Sequence, residues 1–441
     1  MRATALPHRR GPHTHPPTPP FPLSFSYLPV YLQDVLGLSN SKIGNLQAIA
    51  QFLCNASKSL SGTLADVLSP ARMILVGTLL TTLNKPMFAL SGYVYASFGT
   101  VATLYWITAG KVFDRMSKGI REAPGKALIG DLAATSGDRP EGAFGLRQAL
   151  ATTGALVGSA IAGLAYKLSG QNYVLTFALA AAPAAAALVI TAAAFGPMAA
   201  ESAAAKKAAK AAAGDDVAAL GFKAKAAALK AALTPAYWQA LIVVCLLYFA
   251  RFDAAFITLR AKTVLLKTQL PLLTSLIMVV QAALAAPAGL RAKRSIKDRN
   301  AVLLAGYAAL IAANASFAFL PTAAGMFLGA ACVGAHMALT HGVTLAMIAS
   351  YIPVEPVPGI GKISGTCWSF TDFVFGVILA YSNSVAGRLS DATAAAGAGN
   401  VGCFLGGMAA TAASGVALVA FSAFADLGRE DKVVAVRRPA K

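Results

Sequence analysis

The sequence predicts an all-α, polytopic membrane protein with about twelve transmembrane helices in two pseudo-symmetric six-helix bundles. Of its 441 residues, 57% are hydrophobic and 12% are charged, against about 25% charged residues in an ordinary soluble domain. Apolar runs of about 20 residues recur along the chain, and each is long enough as a helix to cross a hydrocarbon core of roughly 30 Å. Their repetition distinguishes them from a single signal anchor.

Twelve apolar segments follow one another along the chain. They begin near Phe21, Ile43, Arg72, Thr100, Ala143, Tyr173, Ala236, Pro271, Ala301, Ala323, Ile363 and Val401. The first segment is short for a membrane crossing. The sequence therefore leaves two interpretations open, a true start and a truncated first helix.

Composition divides the chain into five parts. Residues 1–20 are rich in Pro and His and contain no acidic residue, which predicts a disordered leader. Residues 21–197 and 235–425 each hold six predicted spans, and a weak repeat between their loops supports duplicated halves with a site at their interface. Residues 198–234 form an Ala/Lys-rich cytoplasmic linker, either a spacer or an amphipathic helix on anionic lipid. Residues 426–441 form a basic cytoplasmic tail.

The formal net charge is +19, but the distribution of basic residues argues against nucleic-acid binding. Loops rich in Lys and Arg, such as residues 111–139 and 206–230, alternate with poor ones. With both termini in the cytoplasm, the rich loops all fall inside, which is the positive-inside pattern of an integral, multi-pass membrane protein. The pattern does not specify the membrane, and a plasma membrane and a plastid envelope both fit it.

A short run at the predicted end of span four, residues 114–131, reads DRMSKGIREAPGKALIGD. On a helix Asp114 lies four residues before Lys118, and Lys118 four before Glu122, a spacing that supports ion pairs. Pro124 is expected to end the helix, with a glycine in the following turn. A solvated turn is the simpler interpretation. The interleaved charges also suit ion pairs that exchange as a gate opens and closes.

Together with GAFGL at residues 142–146, this run resembles the Major Facilitator Superfamily, in particular a bacterial-type branch in which span four ends in DRxGKGIRxxPRDALIAD. The superfamily's loop signature after span two, GxLaD, is also present, although VLSP follows it here in place of the usual basic turn. The resemblance extends over nearly the whole chain and implies two six-helix bundles with a gate formed by these motifs. The gate residues that it assigns are Gly62, Asp66, Asp114, Arg115, Lys118, Gly119, Arg121, Pro124 and Asp131.

Span five departs from that branch. The resemblance would place a basic residue at Gln148 and an Asp at Ala151, and Arg147 stands where the family often has His. Because a charge pattern inside the membrane is changed, the substrate of the bacterial relatives cannot be transferred to this chain.

Six ionisable side chains in predicted spans are candidates for substrate or proton binding, because such groups are costly inside a membrane and usually functional. They are Arg147, Arg251, Asp253, His336, His341 and Asp372. Arg251 and Asp253, two apart on a helix, would point in different directions and need not pair. Lys58 and Lys85 are candidate partners for Asp372. Packing or core hydrogen bonding is the alternative interpretation for each group.

No metal site, cofactor or catalytic residue is predicted. His336 and His341 are five residues apart, which does not fit the HExxH spacing of a zinc site. The five cysteines lie singly in apolar runs without CxxC spacing. The sequence contains no P-loop and no GxSxG motif, which argues against an enzyme.

These patterns and the resemblance imply a secondary active transporter that moves a small solute by alternating access. We expect a monomer in the lipid bilayer. Its expected partner is a small-molecule solute, and protons are the candidate coupling ion. No nucleic acid is expected to bind. The alternative is a non-transporting receptor, scramblase or assembly factor on the same scaffold. A transporter should show flux that is lost when a central acid is replaced, whereas a non-transporting scaffold should show no flux.

Overall fold

The computed structural model describes residues 23–68, 70–136, 140–170, 172–212, 233–292, 294–351 and 364–429. Over these residues the chain consists of α-helices, two short 3-10 turns and connecting segments, without a strand, which confirms the predicted fold class. The predicted leader, the central part of the linker and nearly all of the tail lie outside the described residues.

The first half contains α1 Leu23–Asp34, α2 Asn40–Leu68, α3 Pro70–Ser136, α4 Pro140–Leu168, α5 Tyr173–Leu179 and α6 Ala181–Ala212. The long α3 is a hairpin of two helices that meet at Gly99, whose φ of 76° favours glycine. The two arms run antiparallel, since the indole of Trp106 donates a 2.7 Å hydrogen bond to the carbonyl of Met87 and Lys85 contacts Asp114. The hairpin therefore contains predicted spans three and four.

The second half contains α7 Pro235–Ala250, α8 Ala254–Ala261, α9 Leu270–Ala292, α10 Ile296–Phe319, α11 Ala323–Ala349, α12 Ser364–Ala395 and α13 Gly402–Phe424. Side-chain caps fix two of the starts. The hydroxyl of Ser295 accepts from the Asp298 amide at 3.0 Å, and that of Thr322 accepts from the Gly325 amide at 3.1 Å. Such caps satisfy amides that have no partner within the helix.

Seven described helical segments are long and apolar enough to cross a membrane. The helices are consistent with twelve predicted spans when α3 counts as two, and when α5 with α6 and α7 with α8 count as one each. The helix expected to end at Pro124 instead continues to Ser136, so that prediction was wrong. A proline is tolerated inside a membrane helix when neighbouring groups replace the lost hydrogen bond, and Pro124 is buried.

Among the described residues, the main contacts between the two halves are those of α2 with α12, α4 with α9, and α1 with α8. Glycines allow α2 and α12 to approach closely. A Cβ atom on Gly44 would lie 2.4 Å from the carbonyl oxygen of Asn383, and one on Gly387 would lie 2.5 Å from that of Asn40.

Two ends of the bundle are defined by α2. The end of the bundle at which α2 starts, at Asn40, is here called the far end. The opposite end is called the motif end, because Gly119 of the charged motif lies there. Its marker on α2 is Ser61, whose hydroxyl lies 3.2 Å from the carbonyl oxygen of Gly119. At a rise of about 1.5 Å per residue these positions are roughly 30 Å apart. Near the far end the apolar core joins both halves, because Ala255 and Leu259 of α8 pack with Tyr27 and Leu28 of α1.

Candidate functional site

The helix that begins at Pro235 breaks at residues 251–253, between the two ends of the bundle. Side chains of α12 satisfy the freed backbone groups. The Ser382 hydroxyl lies 2.7 Å from the carbonyl oxygens of both Phe249 and Arg251, and the amide oxygen of Asn383 accepts from the Asp253 amide at 2.7 Å. Interrupted membrane helices of this kind commonly form the substrate sites of transporters.

Asp253 has two structural roles at this break. Its carboxylate caps α8 by accepting from the Ala255 amide at 3.0 Å. Its other oxygen lies 3.2 Å from the guanidinium of Arg115 on α3. Since α3 belongs to the first half and α8 to the second, this ion pair joins the two halves.

Arg251 turns to a different helix. Its Nε donates to Nε2 of His336 at 2.9 Å, and another of its nitrogens donates to the hydroxyl of Thr340. Its guanidinium also lies 5.2 Å from the ring centre of Tyr248. The sequence indicated that Arg251 and Asp253 need not pair with each other, and here they contact different groups. Its premise of a continuous helix was wrong, because the chain is broken between α7 and α8.

The contacts of His336 fix its protonation state in this arrangement. Nε2 accepts from Arg251, so Nδ1 carries the proton and donates to the carbonyl oxygen of Gly306 at 2.8 Å. The imidazole is therefore neutral, because a second N–H would point at the guanidinium. Protonation of His336 would break its contact with Arg251.

A second ion pair lies within the α3 hairpin. The ammonium of Lys85 contacts the carboxylate of Asp114 at 2.7 Å, and the two side chains are only 2% and 7% exposed. Lys111 is buried beside them, within electrostatic range of Asp114 and Arg115. Sequence reasoning missed Lys111, although its place in an apolar segment is the signal that singled out the other intramembrane charges.

The pairing expected within the Asp114 motif is different in the structure. Asp114 contacts Lys85, and Glu122 contacts Lys58 of α2 at 3.2 Å, whereas Lys118 lies within electrostatic range of Glu122, as the spacing indicated. The long-range partners are available because the arms of α3 and α2 pack side by side. Of the two candidate partners for Asp372, Lys85 is engaged by Asp114, and Lys58 lies within electrostatic range of Asp372.

Other members of the motif are packing positions. A Cβ atom on Gly119 would lie 2.5 Å from the carbonyl oxygen of Cys54, so only glycine fits against α2. The Cβ of Arg121 lies 2.8 Å from the position that a Cβ on Gly77 would occupy. Gly62, Asp66, Asp131 and Arg147 lie on described helices, but their side chains are outside the described part of the structure.

At the far end three groups of polar contacts join the halves. Asp391 of α12 accepts from the amides of Asn40 and Ser41 at 2.9 and 2.8 Å, and so caps α2. Asp34 forms ion pairs with Lys262 and Lys267 at 2.5 and 2.6 Å. The third contact, 2.7 Å long, joins the Ser384 hydroxyl to the Asn45 side chain. These contacts, here called the far-end latch, were not predicted from the sequence.

The remaining candidates do not form a metal site within the described residues. No group of three His, Cys, Asp or Glu side chains there could hold a metal ion. His341 is exposed, unlike buried His336, and the five cysteines are free thiols. A groove of about 580 Å³ between α10 and α13 is lined by apolar side chains, including Leu304 and Phe424, and contains none of the predicted site residues.

Comparison with known proteins supports the resemblance. A family model described as Major Facilitator Superfamily matches residues 22–375. A variant of the nucleoside transporter NupG has a TM-score of 0.66 and 16% identity, covering 90% of this chain and 95% of that chain.

Two other solved structures have the same architecture. A bacterial homologue of the human drug peptide transporters PepT1 and PepT2 has a TM-score of 0.62 and 15% identity, covering 90% of this chain and 94% of that chain. A D-xylose-proton symporter has a TM-score of 0.62 and 13% identity, covering 91% of this chain and 95% of that chain. At these identities the likeness shows the fold. A search of curated protein sequences finds no match.

Proposed function

The chain belongs to the Major Facilitator Superfamily of secondary transporters, and we propose that its small solute binds at the break between α7 and α8. The observation that carries this proposal is the pair of charges at the break. Arg251 and Asp253 are two residues apart in sequence but turn to different helices. A solute that engages Asp253 changes a contact between the two halves, and one that engages Arg251 changes contacts within the second half.

The proposed transport cycle uses the contacts between halves. In this structure the far-end latch joins them at one end and the Asp253–Arg115 ion pair joins them at the centre. Rocking of the halves about the central site would break the far-end latch and open that end. Because Asp253 lies at the helix break, solute binding there can influence this ion pair directly.

We place the motif end in the cytoplasm. The support is the distribution of Lys and Arg, which is dense in the segments that connect helices at this end. On this orientation the far-end latch closes the outward-facing side. A reporter that fluoresces only in the cytoplasm, fused after Lys441, is expected to be bright, and a dark, protease-accessible reporter would reverse the orientation.

Proton coupling is a proposal that rests on His336. Its neutral imidazole holds Arg251, and an added proton would release that contact. A proton arriving at His336 would therefore free Arg251 for the solute. Flux driven by a pH gradient in proteoliposomes, and lost in a His336→Asn variant, is the expected result; equal flux with and without the gradient rejects the coupling.

Replacement of Asp253 by Asn tests the solute site. Asn can still cap α8 but cannot form an ion pair with Arg115. In proteoliposomes loaded with a solute found by thermal-shift screening, we expect Asp253→Asn to lower flux at least about tenfold, which corresponds to about 1.4 kcal/mol, while its melting temperature stays close to wild type.

The matched control for this test is Asp298→Asn, which removes a carboxylate one-third exposed on α10 and should leave flux unchanged. Undiminished flux in Asp253→Asn would overturn the assignment of the site. A well-folded protein that transports no solute in the screen, yet retains a stable protein partner, would instead favour the receptor or assembly-factor alternative.

A further inference from the structure

We infer that the transported solute is a small anion, bearing a carboxylate or phosphate group that binds Arg251. This inference rests on the proposed solute site at the helix break. It adds the chemical class of the solute, which neither the fold nor the motifs specify.

The first step of the argument is the charge of Arg251. A guanidinium remains protonated in proteins, and buried charges are normally matched by an opposite charge. The hydrogen-bond acceptors of Arg251 among the described residues are the neutral His336 and the hydroxyl of Thr340. The ring of Tyr248 adds a favourable cation–π contact but no negative charge.

The donors of Arg251 give the second step. A guanidinium has five N–H donors, and the contacts with His336 and Thr340 use two of them. The other three have no hydrogen-bond acceptor in the part of the chain that the structure describes. Arg251 is deep in the bundle but keeps some accessible surface. Its planar fork is therefore available for bidentate binding of a carboxylate or phosphate.

The surroundings of Arg251 give the third step. The two carboxylates described near Arg251 already have cationic partners, because Asp114 contacts Lys85 and Asp253 contacts Arg115. The contacts of Arg251 itself are with His336, Thr340 and Tyr248. An anionic solute would supply the opposite charge that a buried guanidinium normally has.

The position of Asp253 permits such a solute. Its carboxylate is turned away from Arg251, with one oxygen on Arg115 and the other on the Ala255 amide. A solute carboxylate or phosphate at Arg251 therefore does not compete with Asp253 for the same donors. Because Asp253 is already paired, its repulsion of an incoming anion is reduced.

The test compares matched anionic and neutral compounds by thermal unfolding of the full-length protein at constant ionic strength. The pairs are succinate with succinamide and glucose 6-phosphate with glucose, and inorganic phosphate is added as a minimal anion. We expect at least one anion to raise the melting temperature by about 4 °C at saturation, because a ligand stabilises the state that binds it. The matched neutral compound should produce no shift.

Three variants locate the effect. Arg251→Gln should abolish the shift, and Arg251→Lys, which keeps the charge but loses the fork, should reduce it by at least half. Arg291→Gln removes an arginine whose side chain is 66% exposed and should keep the full shift. If Arg251→Gln does not fold, the comparison of matched compounds on the wild-type protein still decides the question.

Two sets of outcomes separate this inference from the proposed function. A neutral compound that shifts the melting temperature and is transported in an Asp253-dependent manner would overturn the anion assignment and leave the solute site in place. Anion shifts that persist in Arg251→Gln, or no shift from any anion, would also overturn it. Anion binding at Arg251 without flux in proteoliposomes would instead leave the anion as the ligand of this site and would contradict the proposed transport.

Discussion

At the scale of single residues, the centre of the molecule is shaped by the cost of burying charge. Removing an ion from water costs several kcal/mol even after the protein relaxes, so each buried charge requires a compensating group. Lys85 and Asp114 supply this for each other at 2.7 Å, on facing arms of one hairpin. Asp253 and Arg115 do so across the two halves.

The Lys85–Asp114 pair gives a residue-scale prediction. We expect Lys85→Met to lower the free energy of unfolding by about 3–5 kcal/mol, because it leaves Asp114 buried without its main partner. The double variant Lys85→Met/Asp114→Leu should lose much less than the sum of the single variants. Denaturant unfolding in detergent micelles provides the measurement.

The control for this prediction is the more exposed Arg291–Asp298 pair, whose closest atoms are 3.6 Å apart. Removing either partner there should change stability by less than about 1 kcal/mol. Additive losses in the Lys85 and Asp114 double variant would show that the two charges are not coupled.

At the scale of helices, close packing determines which residues of the charged motif are essential to the fold. Gly119 faces the backbone of α2 at Cys54, with no space for a side chain. Gly125 lies less than two turns further along the same helix and has open space around the position of a Cβ atom. The motif thus provides a matched pair of glycines in one element.

The two glycines should respond to alanine in opposite directions. Gly119→Ala would force α2 and α3 apart and should lower stability by about 1–3 kcal/mol. Gly125→Ala should raise it by about 0.5–1 kcal/mol, because alanine has the better helix propensity and meets no neighbour. Thermal unfolding and the yield of monodisperse protein measure both effects. Equal responses from the two variants would contradict the close contact at Gly119.

At the scale of the whole molecule, the far-end latch defines the conformation seen here. Asp391 caps a helix that belongs to the other half, and Asp34 binds two lysines that lie in sequence between α8 and α9. These contacts depend on the relative position of the halves. They would all be lost together if the far end opened.

A cross-link at the far end tests this conformation. The side chains of Asn45 and Ser384 are in contact at 2.7 Å, so Asn45→Cys/Ser384→Cys should form a disulfide under mild oxidation. The cross-linked protein should lose transport, and a reductant should restore it. Each single-cysteine variant should keep its flux under the same treatment. Failure to cross-link, or full flux after cross-linking, would show that this end does not close and open during transport.

Much of the fold follows from local sequence. The predicted starts of most spans lie within a few residues of the observed helix starts, because apolar run length is a property of each segment alone. Pro124 was the exception among the boundaries, since the helix continues past it to Ser136. Family membership was also predicted from the motifs and is confirmed by the family model.

The site was predicted only in part. Arg251, Asp253 and His336 were recognised because ionisable groups in apolar segments are rare. Their partners lie far away in the chain. Thr340 is 89 residues from Arg251, and Asn383 and Arg115 are 130 and 138 residues from Asp253. The roles of Gly62, Asp66, Asp131 and Arg147 stay predictions. The far-end latch had no sequence signal, since its acids lie among ordinary residues at helix ends.

The sequence by itself determined that this chain is a helical membrane protein, where its spans lie and which charges are placed at a cost inside them. Only the tertiary structure decided which charges pair, that the helix carrying Arg251 and Asp253 is broken, and that the halves meet at the far end. The physical reason is the difference in sequence range between the interactions involved. Hydropathy and helix propensity act within a segment, whereas ion pairs and close helix contacts join residues that only the folded chain brings together.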